Sequence, residues 1–110
     1  MPEPKFLGEF EHMVLVAVLR LGKEAYGAAI SREIESCTRR RVPSGSLYIT
    51  LDRLESKGLI TSRLGERAPD RAGRPKRYVS VTKAGVEAVR ELRKAVLRLW
   101  SGVEDRLETT

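Results

Sequence analysis

An α+β fold, mostly helical, is predicted by three features of the sequence. Three helical periodicities come first, two strand-like runs around a Gly- and Pro-rich loop follow, and a long final helix carries a heptad-like apolar seam. A chain of 110 residues with no internal repeat and no low-complexity segment reads as one compact domain.

The first helix is expected over residues 8–21. Phe10, Val14, Ala17 and Leu21 form one stripe, Met13, Val16 and Val18 widen it towards all-round burial, and Gly22 stops it. The second is expected over 25–37, with Ala29, Ile30, Ile34 and Cys37 facing inward. Thr38 and the run Arg39-Arg40-Arg41 break that pattern, and Pro43 disfavours helix in the residue before it. The third runs from an N-cap at Ser44 to about Lys57, with Leu47, Leu51 and Leu54 on its buried face and Gly58 at its end.

Residues 59–64 and 76–81 read as strands, and residues 65–75 between them as a hairpin loop. A helix then extends from a Thr82 cap to about Leu107. Val89, Leu92, Val96, Leu99 and Val103 recur at alternating spacings of three and four, with Leu107 near the end of the seam. Two to three heptads are too few for a freestanding coiled coil, so the seam is expected to pack on a partner helix.

The charge is one-sided. Twenty-one Lys and Arg against fifteen Asp and Glu give +6, and the sequence pI is about 9.9, the electrostatic signature of a polyanion binder. The excess is local. Residues 61–77 hold Arg63, Arg67, Arg71, Arg74, Lys76 and Arg77 against Glu66 and Asp70 alone, whereas residues 82–110 hold six basic and five acidic side chains. A single cysteine excludes an internal disulfide framework, no secretory leader pattern is present, and the longest apolar run, Met13 to Leu19, is far too short for a membrane span. A cytoplasmic protein is expected, without membrane partners.

Helix, helix, helix, strand, strand, helix is the order of a winged helix-turn-helix: a two-stranded β wing, a third helix that enters the DNA major groove, and here a long C-terminal dimerisation helix. Residues 1–81 would form the DNA-binding region and residues 82–110 the dimerisation helix. Ser46, Ile49, Thr50 and Arg53 are the expected base contacts: hydroxyls and a guanidinium for hydrogen bonds, and isoleucine for a thymine methyl. Tyr48 is placed to give its hydroxyl to a phosphate. Arg39, Arg40, Arg41 and Ser44 beside the third helix, with Arg63, Arg71, Arg74, Lys76, Arg77 and Tyr78 on the wing, are the expected backbone contacts.

Four stretches carry a resemblance to a known family: Leu7-Gly8-Glu9-Phe10-Glu11; Tyr26-Gly27; Ser46-Leu47-Tyr48 with Leu51, Arg53, Leu54, Glu55, Gly58 and Leu59; and Gly73-Arg74-Pro75-Lys76-Arg77-Tyr78 leading to Thr82 and Gly85. In order and spacing they span nearly the whole chain, which resembles the PadR family of bacterial transcription regulators in its short form with a single C-terminal helix. The resemblance implies a repressor-type homodimer, a last helix forming much of the dimer interface alongside helix one (hence Phe10), a wing shaped by residues 73–78, and a backbone contact from Tyr48. Val79 stands where the family often has a second aromatic, and Ile49 fills a variable recognition position.

Dimer contacts are expected from Phe10, Val89, Leu92, Val96, Leu99, Trp100, Val103 and Leu107. Trp100 reads either as hydrophobic interface or as a platform for a planar small-molecule effector between subunits. His12 has no second ligand at metal spacing, Cys37 reads as packing or as a redox-sensitive thiol beside the arginines, and no metal or cofactor is expected. Without a phosphate loop, a nucleophile–base pair or a metal cluster, the chain is not expected to be an enzyme. Asp52 and Glu55 read as surface ion pairs with Arg53 and Lys57. Two functions follow: a sequence-specific DNA-binding regulator, or a winged-helix protein-interaction module without DNA binding. A basic rather than acidic or apolar surface on helix three and the wing favours the first.

Overall fold

The computed structural model describes residues 7–67 and 75–108. Its elements are α1 (Glu9–Leu21), a 3-10 turn (Gly22–Glu24), α2 (Gly27–Thr38), α3 (Ser44–Ser56), β1 (Ile60–Arg67), β2 (Pro75–Val81), α4 (Lys83–Trp100) and a short α5 (Glu104–Glu108). The fold is the mostly helical α+β arrangement read from the sequence, with one antiparallel two-stranded sheet.

The periodicities become a core. Val14, Leu15, Ala17 and Val18 of α1 pack with Ile30 and Ile34 of α2, Leu47, Leu51 and Leu54 of α3, Ile60 of β1, Val79 of β2 and Val89 of α4. Helix α1 thus runs through the middle, and α3 lies on it by the leucine stripe that defined it. One polar contact reinforces this packing. Glu11, buried in the first turn of α1, accepts from Lys57 Nζ at 2.7 Å and from Gly8 N–H at 2.9 Å. Lys57 caps the C-terminus of α3, so each charge also sits at the favourable end of its helix. Burial pushes the Glu11 carboxyl up, but Lys57, Gly8 and the nearby Arg53 outweigh it and hold the group below its ordinary 4.5.

Four expectations change at the element ends. Helix α2 begins at Gly27 because Ala25 and Tyr26 are extended. They join the wing instead: Val79 N–H donates to the Ala25 carbonyl at 2.9 Å, and Tyr26 bridges Tyr78. The N-cap of α3 is Pro43, so Ser44 is already inside the first turn and makes no capping bond. Cys37, expected inside, is exposed near the end of α2. The last helix does not run unbroken to Leu107. It stops at Trp100, turns through Ser101–Val103 with Gly102 at φ +83°, and resumes as α5. Its N-terminus follows the sequence: Thr82 Oγ1 accepts from Gly85 N–H at 3.1 Å.

The wing is paired from Ile60↔Val81 to Leu64↔Arg77, and a register shift separates that ladder from Arg67↔Pro75. Gly65 lies in the shift, where a Cβ would collide with the ring of Tyr78. Residues 68–74, with Arg71, Gly73 and Arg74, lie outside the described residues.

Candidate nucleic-acid interface

Helix α3 shows solvent a face the core leaves free. Ser44, Gly45, Ser46, Ile49, Asp52, Arg53 and Ser56 are all exposed along it, and Tyr48 stands exposed at its flank. Ile49 is 61% exposed, an apolar side chain in mid-helix with nothing over it. Thr50 is the exception among the four expected base contacts. It is 5% exposed because its position lies about 60° from Leu47 around the helix, inside the buried stripe rather than opposite it. It is therefore corrected to a core position.

Beside the N-terminus of α3, Arg39, Arg40 and Arg41 are exposed. Arg39 closes α2 in a left-handed conformation at φ 59°. Arg40 Nη1 pairs with Glu9 at 2.7 Å, while Arg39 and Arg41 make no ion pair among the described residues.

The base of the wing is an aromatic stack carrying two cations. The rings of Tyr26 and Tyr78 meet edge to face, 5.5 Å between centroids at 65°. The Arg63 guanidinium lies 4.6 Å over Tyr78, and Lys76 Nζ lies 4.2 Å over Tyr26. Such contacts hold flexible cations without neutralising them. The Tyr26 hydroxyl accepts from Arg32 at 3.1 Å, and that bond, with the charge of Lys76, keeps the phenol below its ordinary range.

Wing, α2 and α3 meet in an open cleft of about 510 Å³, lined by Tyr26, Gly27, Ala28, Tyr48, Pro75, Lys76 and Arg77. The first backbone N–H groups of a helix have no intrahelical partner and carry the positive end of its dipole. Gly27 and Ala28 open α2 at this cleft, next to the Tyr48 phenol and the Lys76 ammonium. The approach requires glycine, since a Cβ on residue 27 would stand 2.7 Å from Tyr48 Oη. Three kinds of anion donor (backbone N–H, phenol and ammonium) thus converge on one concave surface.

Ser46, Ile49 and Arg53 share the outer face of α3, and Tyr48, Lys76 and Arg77 share the cleft. Arg77, expected as a phosphate contact, turns inward instead, to Asp52 and Glu55 of α3. Those two carboxylates were expected to pair with Arg53 and Lys57. Arg71 and Arg74 lie outside the described residues. The N-terminus of α2 and the role of Tyr26 as a cation platform are not foreseen from the sequence, which places Tyr78 on the wing only as a backbone contact. Their signal is the Tyr26-Gly27 dipeptide, whose partners Tyr48, Lys76 and Tyr78 lie on other elements.

At the opposite end, α4 leaves Leu92 half-buried and Val96, Leu97, Leu99 and Trp100 exposed, with Val103 and Leu107 exposed beyond the break. Phe10 is half-buried against the core. Val89, expected in a dimer seam, is 9% exposed and belongs to the core of its own chain, which corrects that assignment. Among the described residues no group of three or more His, Cys, Asp or Glu is placed to hold a metal, and no helix is long and apolar enough to cross a membrane.

Comparison with known proteins agrees with this geometry. The model of the transcriptional regulator PadR-like family matches residues 15–91. The transcriptional regulator Rv3488 of Mycobacterium tuberculosis is 41% identical over 76 residues, covering 69% of this chain and 66% of the relative, just short of two thirds of its length. A PadR-like transcription factor of Bacteroides fragilis superposes with a TM-score of 0.68 at 27% identity, over 87% of each chain. A PadR family transcriptional regulator of Eggerthella lenta gives 0.65 at 28% identity, over 93% of this chain and 88% of its own. These are regulators of transcription rather than enzymes.

Proposed function

This chain belongs to the transcriptional regulator PadR-like family, and from that premise we propose that it is a sequence-specific repressor binding a two-half-site operator as a homodimer in the cytoplasm. The observation that carries the reading is the continuity of the outer face of α3 with the cleft of Tyr48, Lys76 and the α2 N-terminus. A helix set in the major groove brings its flanks against phosphate, and this one has a base-reading face beside an anion-binding flank. Ser46, Ile49 and Arg53 read bases. Tyr48, Lys76, Arg63, Arg39, Arg41 and Ser44 hold the backbone, and Arg71 and Arg74 are assigned to it with them; Arg40 joins them once it leaves Glu9, and Tyr78 supports Arg63. Residues 1–81 form the DNA-binding region.

Residues 82–110 supply the dimer contact. Leu92, Val96, Leu99 and Trp100 present an apolar strip that water covers poorly in a lone chain, continued by Val103 and Leu107 and joined by Phe10. A planar effector would lie against Trp100 between the two copies. Coupling to DNA would then act through the spacing of the two recognition helices.

The test is fluorescence anisotropy on the DNA upstream of the chain's own coding sequence and on a scrambled duplex, over a salt series. A preference for the native duplex that survives rising salt supports a sequence-specific regulator. Absence of binding to either duplex at low salt favours the protein-interaction module instead.

A further inference from the structure

Two acidic residues stand on a surface that should repel acid. Asp52 and Glu55 occupy the exposed side of α3, where phosphate would approach, and each unpaired carboxylate there weakens attraction to a polyanion. Both turn instead to the wing. Arg77, on β2 opposite Leu64, sends Nη1 to Asp52 Oδ1 at 3.0 Å and Nη2 to Glu55 Oε1 at 2.8 Å. Its Nε donates to Ser62 Oγ on β1 at 3.0 Å, and the Ser62 hydroxyl donates to the same Glu55 carboxylate. All three guanidinium nitrogens are therefore engaged inside the molecule. The side chain is 26% exposed, and Lys76 on the neighbouring position, by contrast, lies over the Tyr26 ring and makes no ion pair among the described residues.

The chemistry suits a brace better than a contact. Residues three apart on a helix present their side chains together, and a planar guanidinium fork can engage both, which a lysine point charge cannot. The base of the wing is anchored by the backbone bond from Val79 to Ala25 and by Ile60 and Val79 in the core, but the covalent link from α3 to β1 is only Lys57–Leu59, and the Arg77 network ties the outer side of the wing to α3 itself.

We propose that Arg77, Asp52, Glu55 and Ser62 form a positioning brace that fixes the wing against the recognition helix, so that the cleft cations and the outer face of α3 meet DNA together. The proposal rests on the DNA-binding reading above. The Ser62 hydroxyl and Arg77 keep Glu55 below the usual carboxylate range, so the brace is charged at neutral pH.

The brace and a simple electrostatic surface predict opposite signs. Replacing both carboxylates (Asp52→Asn with Glu55→Gln) removes two repelling charges and frees a guanidinium. On a purely electrostatic surface, operator binding tightens and its salt dependence steepens. With a brace, binding weakens by about tenfold despite the more positive charge, since groups in one hydrogen-bond and ion-pair network are coupled. Arg77→Ala weakens binding similarly, and adding it to the carboxylate variant costs little more, because the three groups act as a unit. Arg77→Lys keeps the charge and still loses affinity. Thermal unfolding midpoints, measured alongside, must stay close to wild type so that lost affinity is not lost fold.

Tighter binding by the carboxylate variant overturns the brace while leaving the DNA-binding reading intact. Additive losses in the combined variant also overturn it. A wild-type protein that binds no duplex at low salt overturns the DNA-binding reading, and the brace falls with it.

Discussion

The outer face of α3 and the distal half of α4 are both exposed, yet they are finished to different degrees. Around α3 the polar groups are already arranged: Arg63 and Lys76 rest on tyrosine rings, Arg77 is held by two carboxylates, and Tyr48 is seated against Gly27. On α4 beyond Val89, the apolar side chains Val96, Leu97, Leu99 and Trp100 are exposed, Leu99 to 78%. The first surface is organised by contacts within one chain and awaits a polyanion. The second is the surface proposed to pack on another copy of the chain. Preorganisation lowers the ordering cost of binding at the first, while the second has an apolar driving force and little specificity of its own.

The largest expected effect breaks the second surface. Charging it with Val96→Glu and Leu99→Glu should convert the dimer to monomer and lower operator affinity by about 100-fold or more, because the second half-site then binds independently. Sedimentation equilibrium and anisotropy read the two effects, and circular dichroism should retain the helix signal. Undiminished affinity from a monomeric variant would show that one copy suffices.

A smaller effect tests whether the first surface is built on a rigid body. Glu11→Gln should destabilise the chain by roughly 1–3 kcal/mol, as expected for a buried charge-assisted hydrogen bond, and denaturant unfolding measures it. Acid should act alike. The Glu11 carboxyl is held below its ordinary 4.5 in the folded chain, so its stabilisation is complete above that value and is lost as pH falls through the depressed folded value. The glutamine variant should lose that part of the acid sensitivity.

Within the recognition face, Arg53→Ala should cost about 1–3 kcal/mol of discrimination between the operator and single-base variants, more than it costs on scrambled DNA. Competition with a panel of mismatched duplexes reads this directly. An equal loss on every duplex would reassign Arg53 to the backbone. The smallest change is Lys76→Ala, expected to weaken all duplexes several-fold and to reduce the salt slope by about 0.9, one phosphate contact. An unaltered slope would remove Lys76 from the interface.

The two surfaces were also unequally legible in the sequence. The leucines of α3 and the seam of α4 are local periodicities; the first became a buried stripe, while the second is split between the core at Val89, exposed positions up to Trp100 and residues beyond the helix break. Periodicity does not say what covers a face, which is why Val89 proved to be core while Leu99 did not. Thr50 was misassigned because a hydroxyl argued for solvent at a position the helix turns inward. The break after Trp100 had its signal in Ser101-Gly102, overridden by a three-four spacing that continued across it. The pairing of Arg77 with Asp52 and Glu55, and of Lys76 with Tyr26, joins residues 22 to 50 positions apart, and only the closed hairpin brings them together. Nearby residues offered plausible but wrong partners: Lys57, two positions from Glu55, pairs with Glu11 instead.

The most direct test of the central claim is hydroxyl-radical footprinting of the operator, together with methylation protection of its guanines. Two recognition helices joined through α4 should protect two major-groove patches one helical turn apart, about 34–36 Å along the duplex. Protection at a single patch, or spread evenly along the backbone with no groove preference, would contradict a dimer that reads DNA through α3.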